Sequence, residues 1–422
     1  MRFSVVTSRI DEKSGSVGDV VATVGAISGS GAAESDADGV SSSATESPVG
    51  WSVGWSVGSG GSGVSAQPST MNRSDRTGLR TWWVIGLLML LASQVTAQEF
   101  VCFVYHRFGD GRYPSTNIAV DAFRGQLQFL RQEGFTVLTL GDAMARLDAG
   151  ELTGPTAVLT IDDGYDSFRT GALPLLREFD MPATLFVNSA SVGRKGMLGW
   201  DDLDSLVAEG LEIGNHTASH EYFLDLPDEI RQEAFRRDLE QAQDAFAERL
   251  GFVPVLFSYP FGEFDSEMRS TVQELGFTAA VAQNSGVVSS YADRHALPRF
   301  PMGGPFATVA GFKRKARMRA LPVIGIEPAS RVLGAESRPW LTLEVAIPLV
   351  RWSGAQCFVA GDPACSLHVD LYGDLGDETG QVRMQADHDL SGRRTLYTIT
   401  APSASGSAWH WFSHGWIQPR ED

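Results

Sequence analysis

Two adjacent aspartates follow an apolar segment and form the first candidate chemical centre. Asp162 and Asp163 come directly after residues 157–161 and precede Gly164. Neighbouring carboxylates repel each other unless a cation or another partner holds them. Adjacent side chains on a strand point in opposite directions, so this pair is poorly placed to flank one glycosidic bond. One Asp on a metal and one acting as a base suits the arrangement better, and an ordinary Asp-Asp-Gly turn fits equally well.

Two histidines form the second candidate centre. His216 and His220 follow the apolar segment 211–213, and the chain has only 8 His in all. Imidazoles four residues apart meet one ion if the segment between them turns helically. The alternative is a loop with two solvated histidines, which is less favoured once Asp163 is considered.

A third motif, Tyr259-Pro260-Phe261-Gly262, follows the apolar segment 253–257. Pro and Gly restrict the backbone and predict a rigid loop. The aromatic rings of Tyr259 and Phe261 are of a type that stacks on sugar faces. An ordinary strand-to-helix turn is the alternative.

These motifs lie within a regular alternation of strand-like and helix-like segments. Seven strand-like segments are separated by helical patterns, at residues 100–105, 136–140, 157–161, 182–187, 211–213, 253–257 and 278–282. Such alternation predicts an α/β fold with a parallel sheet, closed or nearly closed into a barrel. Functional residues are then expected at the carboxyl ends of the strands, where all three motifs lie.

The pattern changes after the barrel. Residues 304–338 are interpreted as a linker with a basic stretch, and residues 339–422 as a small antiparallel β domain with turn signals between its strands. Four aromatic residues near the end of the chain present either a glycan-stacking face or, as favoured here, core and interface: Trp409, Trp411, Phe412 and Trp416.

The first 97 residues are not expected to fold. Residues 1–70 are rich in Ser and Gly and are interpreted as a disordered extension, arising from a start codon assigned too early. Residues 71–97 combine a basic region, a short apolar core and small residues before the cleavage point, which is typical of a secretory signal peptide. We therefore expect a periplasmic or secreted protein that begins near Gln98.

The net charge bears on the class of binding partner, and the cysteines bear on disulfide formation. The net charge is -17, so nucleic acid is an unfavourable partner. Cys357 and Cys365 are separated by a hairpin-like stretch and are predicted to form a disulfide in an oxidising compartment. Cys102 is predicted to be a buried free thiol.

Together, Asp162-Asp163-Gly164, His216-x-x-x-His220 and Tyr259-Pro260-Phe261-Gly262 resemble NodB-type polysaccharide deacetylases, carbohydrate esterase family four. The resemblance covers roughly residues 100–302, and the deacetylase domain is placed at residues 98–303. It implies a distorted (β/α)7 barrel, followed here by the all-β domain, and metal-dependent removal of N-acetyl groups from an amino-sugar polysaccharide. It also implies roles for specific residues: Asp162 as catalytic base, Asp163, His216 and His220 as metal ligands, and Tyr259, Pro260 and Phe261 as substrate-binding residues.

The chain departs from the common family pattern at two points. Many relatives have Arg two residues before the Pro of the third motif, where this chain has Ser258. Many also carry a late Leu-x-His that supplies the catalytic acid, and this motif is absent. His106 at the end of the first strand instead resembles the poly-β-1,6-N-acetylglucosamine deacetylase branch, in which the acid comes first. Arg299, in Leu-Pro-Arg, is assigned to substrate binding or to support of the base.

The implied ligand set favours Zn²⁺, and Fe, Ni and Co also suit a His-His-Asp site. The expected partner is a polysaccharide, and poly-N-acetylglucosamine exopolysaccharide is the favoured one. Association of the protein with the cell envelope is a further expectation. Two other functions are weighed: a glycoside hydrolase on a similar barrel, and a non-catalytic glycan-binding protein. The first leaves His216 and His220 without a role, and the intact motifs argue against the second.

Overall fold

The structure is a computed structural model that describes residues 2–3, 98–372 and 378–420. The predicted signal peptide and nearly all of the predicted disordered extension lie outside the described residues. Arg2–Phe3 form a short strand, β1. Within the described ranges, no helix combines the length and apolar character needed to cross a membrane.

The barrel region contains eleven strands and six of the helices. The strands are β2 (Glu99–Tyr105), β3 (Arg107–Phe108), β4 (Asn117–Ile118), β5 (Thr136–Leu138), β6 (Thr156–Ile161), β7 (Thr184–Val187), β8 (Glu212–Asn215), β9 (Leu256–Ser258), β10 (Ala279–Val281), β11 (Val287–Ser289) and β12 (Phe300–Pro301). The helices are α1 (Val120–Gln132), α2 (Leu140–Ala149), α3 (Leu173–Phe179), α4 (Trp200–Ala208), α5 (Asp228–Leu250) and α6 (Ser266–Glu274).

The main sheet confirms the predicted barrel. Its order is β10-β9-β8-β7-β6-β2-β11, with β5 beside β6 and β12 beside β2. Neighbours from β10 to β2 are parallel, whereas β11 runs antiparallel to β2. Only residues 282–286 separate β10 from β11, too few for the crossover that a parallel neighbour requires. The barrel is therefore distorted where its ends approach each other.

The barrel core explains why its strands are continuous apolar runs. All six residues of β6 are buried, because helices cover one face of the sheet and the barrel interior covers the other. Helix α1 is amphipathic and directs Phe123, Leu127 and Leu130 into the core. This packing holds the strand ends, and the motifs that follow them, in fixed positions.

The remaining elements form two packed sheets and one further helix. They are α7 (Val309–Ala316), β13 (Met318–Ala320), β14 (Val323–Glu327), β15 (Leu341–Ala346), β16 (Gln356–Val359), β17 (Cys365–Tyr372), β18 (Thr379–Ala386), β19 (Arg394–Pro402) and β20 (Trp409–Ile417). The sheet orders are β1-β17-β18-β15-β14 and β13-β20-β19-β16. The predicted disulfide between Cys357 and Cys365 is present, and Cys102 is a buried free cysteine in β2. Both cysteine predictions are confirmed.

Residues 304–338, interpreted as a linker, contain regular structure. They hold α7, β13 and β14. Phe312 of α7 is fully buried, and its ring stacks on Phe103 of the barrel at 4.2 Å between centroids. Trp411 of β20 packs against Phe300 at 5.6 Å, and Trp416 is buried. The second half of the chain is thus packed onto the barrel, and these two tryptophans serve as interface and core.

Candidate active site

The three motifs meet at one edge of the main sheet. Asp162 follows β6, His216 follows β8, and Ser258 ends β9. Strand order places β6, β7, β8 and β9 side by side and parallel, so their carboxyl ends lie at the same rim. The structure therefore brings together residues that are almost 100 positions apart in the chain.

Asp163, His216 and His220 form a compact set of potential metal ligands. Asp163 Oδ1 lies 3.4 Å from His216 Nε2 and 3.3 Å from His220 Nε2. One ligand atom from each residue lies within 4.8 Å of the others. Asp163 and His216 are buried, whereas the His220 side chain is 21% exposed. The cluster is thus open to solvent on one side.

The protonation of His216 tests whether this cluster fits a cation. Its Nδ1 lies 2.6 Å from the carbonyl oxygen of Ser258. A carbonyl can only accept, so Nδ1 carries a proton, and in the neutral ring Nε2 would present its lone pair to the Asp163 carboxylate. Two acceptors at this distance require a proton or a metal ion between them. A carbonyl that orients a histidine in this way is also typical of metal sites.

The loop that carries the two histidines is not a helical turn, contrary to expectation. Thr217 and His220 have φ of 67° and 58°, in the left-handed region. Side chains hold this backbone: Asn215 Oδ1 accepts the Thr217 N–H at 2.7 Å, and Asp238 Oδ1 accepts the Ala218 N–H at 2.6 Å. The histidines converge through this loop, because its hydrogen bonds replace those of a helix.

Two further motif residues have left-handed backbone. Asp163 has φ of 77° and Phe261 has φ of 58°. For a residue with a Cβ this region costs on the order of 1–3 kcal/mol, and such strain is concentrated at functional sites. All three motifs therefore contain backbone that the surrounding structure holds in an unfavourable conformation.

Asp162 forms a buried, doubly hydrogen-bonded ion pair with Arg299. Nη1 of Arg299 lies 2.8 Å from Oδ1, and Nη2 lies 2.7 Å from Oδ2. Both side chains are 0% exposed. Burial by itself raises the pKa of Asp162, but Arg299, and after it His216 and His106, together hold the pKa below its usual value. Asp162 is therefore a carboxylate at neutral pH.

Ser258 stands where many relatives have arginine, and it joins the same network. Its hydroxyl donates to Asp162 Oδ2 at 3.2 Å and accepts from Arg299 Nη2 at 3.0 Å. Arg299 thus reaches Asp162 from the segment before β12, rather than from the third motif. The enclosed guanidinium favours the assignment of Arg299 to support of Asp162 over its assignment to substrate binding.

The third motif differs from expectation in one residue. Tyr259 is fully buried, its hydroxyl donates to the carbonyl of His295 at 3.0 Å, and its ring stacks on Phe264. Sugar stacking by the Tyr259 ring is therefore excluded. Pro260 is also buried, whereas Phe261 is partly exposed and contacts the His220 ring at 4.5 Å.

An aromatic residue outside the motifs extends this surface. The Tyr222 ring stacks on Phe261 with 3.6 Å between centroids and 5° between planes. Tyr222 is 42% exposed. Its position two residues after His220 is the sequence signal that marks it.

His106 follows β2, which pairs with β6 up to Tyr105 and Ile161. This register places His106 at the same rim as Asp162. Burial raises the pKa of Asp162, and Arg299 lowers it. The charge of His106 lowers this pKa as well. His106 therefore lies close enough to interact with Asp162 electrostatically.

Two arginines from the C-terminal sheets hold the loops around the site. Arg393, just before β19, contacts both oxygens of Asp225 at 2.8 Å and Oε2 of Glu263 at 2.7 Å. Its guanidinium also lies 4.0 Å from the centroid of the Tyr222 ring. Sequence reasoning missed this arginine, because nothing local marks a turn residue that pairs with loops more than 100 positions earlier.

Arg394 continues this connection. Its guanidinium donates to the carbonyl oxygen of Phe261 and lies 3.4 Å from Gln283 Oε1. The loop after the histidines and the loop of the third motif are therefore both tied to the start of β19. The C-terminal sheets thus take part in shaping the rim of the site.

Comparison with known proteins gives a matching family and several relatives. Residues 149–280 match the family model described as polysaccharide deacetylase. The chain is 29% identical over 168 residues to the poly-beta-1,6-N-acetyl-D-glucosamine N-deacetylase of Escherichia coli (strain K12), covering 38% of this chain and 23% of that protein. It is 32% identical over 120 residues to the peptidoglycan-N-acetylglucosamine deacetylase of Bacillus cereus, covering 28% and 52%. The matches span about half of the second relative and a quarter of the first.

Solved structures give a similar result. IcaB from Ammonifex degensii is 27% identical with a TM-score of 0.47, covering 52% of this chain and 97% of that one. The Streptococcus pyogenes deacetylase PplD is 20% identical with a TM-score of 0.48, covering 52% and 99%. Residues 149–280 of the barrel are thus similar to polysaccharide deacetylases, and residues of the three motifs converge at one rim of this region.

Proposed function

We propose that this chain is an exported, metal-dependent N-deacetylase of an amino-sugar polysaccharide, with poly-β-1,6-N-acetylglucosamine as the favoured substrate. One observation carries the proposal: a carboxylate held ionised by a buried arginine lies beside an Asp-His-His cluster. Asp162 and Asp163 are adjacent in the chain but have different partners. This division of labour is what metal-assisted amide hydrolysis requires.

Asp163, His216 and His220 would hold the metal, and their donor atoms suit Zn²⁺ best among common divalent ions. When bound, such an ion polarises a carbonyl and lowers the pKa of water. Fe, Ni and Co are alternatives with the same ligand types.

Asp162 is proposed as the general base. Its Oδ2 accepts from both Arg299 and Ser258, whereas Oδ1 accepts only from Arg299 among the described residues. A carboxylate oxygen has two lone-pair directions, so Oδ1 keeps one for the attacking water. Arg299 fixes the orientation of this oxygen, and Asp162 takes the proton as the water attacks the acetyl carbon.

His106 is proposed as the general acid. An amide nitrogen leaves only when it is protonated, so an acid has to stand near the base. His106 lies at the same rim as Asp162, on the neighbouring strand. Proton donation from His106 to the leaving nitrogen yields acetate and a glucosamine unit.

The identity of the polymer rests on the relatives and on His106. Relatives from Escherichia coli and Staphylococcus epidermidis carry the name poly-beta-1,6-N-acetyl-D-glucosamine N-deacetylase. Tyr222 and Phe261 provide an aromatic surface next to His220 on which a sugar chain can lie. The Bacillus cereus relative makes peptidoglycan the second candidate.

Export is part of the proposal. The pattern of residues 71–97 supports a secretory signal. The disulfide between Cys357 and Cys365 is consistent with an oxidising compartment such as the periplasm or the exterior. A polysaccharide substrate would place the enzyme at the cell envelope.

Acetate release tests the function directly. Bound metal is removed from the protein with a chelator. Acetate release is then measured on poly-β-1,6-N-acetylglucosamine, peptidoglycan and chitin oligomers, with and without added Zn²⁺, Ni²⁺, Co²⁺ or Fe²⁺. We expect acetate only after a metal is restored, and most from the first polymer. New reducing ends without acetate would instead indicate a glycoside hydrolase.

A further inference from the structure

A cavity separate from the proposed catalytic residues lies between the barrel and the C-terminal sheets. Its volume is about 540 Å³, within the range of small-molecule sites. The base, the proposed acid and the Asp-His-His cluster do not line it. Residues 284–287 of the barrel and 411–414 of β20 form two of its walls.

Arg331 lines this cavity, and no carboxylate of the described residues forms an ion pair with it. Other charged residues that line the cavity do form ion pairs: Arg269 contacts Asp293 at 2.5 Å, and Asp265 contacts Arg231 at 3.2 Å. Within the described ranges the Arg331 guanidinium makes no ion pair and lies over the Phe264 ring at 4.9 Å. Burial lowers the pKa of Arg331 to about 10, so it remains charged at neutral pH. A half-buried cation without an ion-pair partner among the described residues favours an incoming anion.

His414 and Asn284 line the same cavity with unused hydrogen-bonding atoms. His414 is 1% exposed, and neither of its ring nitrogens has a partner among the described residues. Burial, followed by the charge of Arg331, lowers the pKa of His414 well below its usual value, so the ring is neutral. It offers one donor and one acceptor. Asn284 donates to the Ser413 carbonyl, while its own carbonyl oxygen stays unpaired.

We propose that this cavity is a binding site for a sugar acid, a hydroxylated carboxylate of the hexuronate class. The Arg331 guanidinium receives the carboxylate. The Asn284 oxygen and the acceptor nitrogen of His414 receive hydroxyl donors, and the His414 N–H reaches a further oxygen. Trp411 and Phe412, which also line the cavity, present apolar surface to the ring of the sugar.

This ligand class matches the cavity better than simpler anions. A fatty carboxylate satisfies Arg331 but leaves the Asn284 oxygen and one nitrogen of His414 unpaired. A neutral sugar satisfies those acceptors but leaves the half-buried Arg331 cation without a counter-charge. Only a molecule with both groups satisfies all three residues, and unsatisfied buried groups oppose binding.

The test is titration of the full chain with glucuronate, glucose and hexanoate, followed by calorimetry and by tryptophan fluorescence, since Trp411 lines the cavity. We expect glucuronate to bind at least about tenfold more tightly than either of the others, as expected for the loss of a charge-assisted bond or of buried hydrogen bonds. Arg331→Gln is expected to weaken glucuronate by at least about tenfold. Arg338→Gln, at an arginine 52% exposed and paired with Asp389, is the matched control and leaves binding unchanged.

His414→Phe guards against a folding artefact. It removes two unsatisfied buried nitrogens, so we expect an unchanged or raised Tm together with weakened glucuronate binding. Equal affinity for glucose and glucuronate, equal affinity for hexanoate, or no binding of glucuronate would each overturn the proposal. Unchanged affinity in a folded Arg331→Gln protein would overturn it as well. None of these results bears on deacetylation.

Discussion

The buried pair of Asp162 and Arg299 allows a quantitative prediction for Arg299→Met. The substitution keeps most of the side-chain volume but leaves a carboxylate that is 0% exposed without a counter-charge. Breaking a buried ion pair from one side costs about 3–5 kcal/mol. The Ser258 hydroxyl still donates to Asp162, whereas Thr160 and the Ala282 carbonyl lose their bonds from Arg299. At about 2–4 °C per kcal/mol, Tm is expected to fall by about 6–20 °C.

The assay measures the free energy of unfolding in denaturant. The protein is first stripped of metal, so that metal binding at the neighbouring Asp-His-His cluster does not add to the measured stability. The double variant Arg299→Met with Asp162→Asn removes the stranded charge and is expected to recover at least half of the lost stability. Arg338→Met breaks an exposed pair with Asp389 and serves as the control, with a change of about 0–1 kcal/mol. A loss below about 1 kcal/mol for Arg299→Met, or no recovery in the double variant, would refute the reasoning.

Four further predictions concern the site and its supports. His106→Ala is expected to keep fold and metal but to lose about 10²–10⁴-fold in rate on amide substrates, and far less on an activated ester that leaves without protonation; equal losses would show a structural role. Asp163→Ala is expected to lose metal and activity together, and Asp162→Asn to keep the metal and lose turnover, as metal analysis beside acetate release would reveal. Arg393→Ala is expected to raise KM for the polymer more than for a small ester, because the loops that carry Tyr222 and Phe261 lose their contacts with Arg393 and the aromatic surface is no longer held in place. Equal effects on both substrates would contradict this. Replacing Cys357 by Ser is expected to lower stability by at most about 2–3 kcal/mol, measured by unfolding with and without reductant.

Sequence reasoning located the centre of the site because strand topology is readable from local pattern. Alternating strands and helices predict a parallel sheet, and parallel strands end at one rim. Asp162, Asp163 and His216 each follow an apolar segment that becomes a strand, so their convergence could be expected. The disulfide was also predictable, because Cys357 and Cys365 are close in sequence and any hairpin brings them together.

The sequence by itself therefore determined the fold class, the order of the motifs and the residues that form the Asp-His-His cluster. Only the tertiary structure decided which carboxylate Arg299 neutralises, that Tyr259 is enclosed, and that Arg393 ties the C-terminal sheets to the loops of the site. The physical reason is the range of the interactions. Periodicity and strand ends are local properties, whereas a buried ion pair between residues 137 positions apart depends on how distant segments pack.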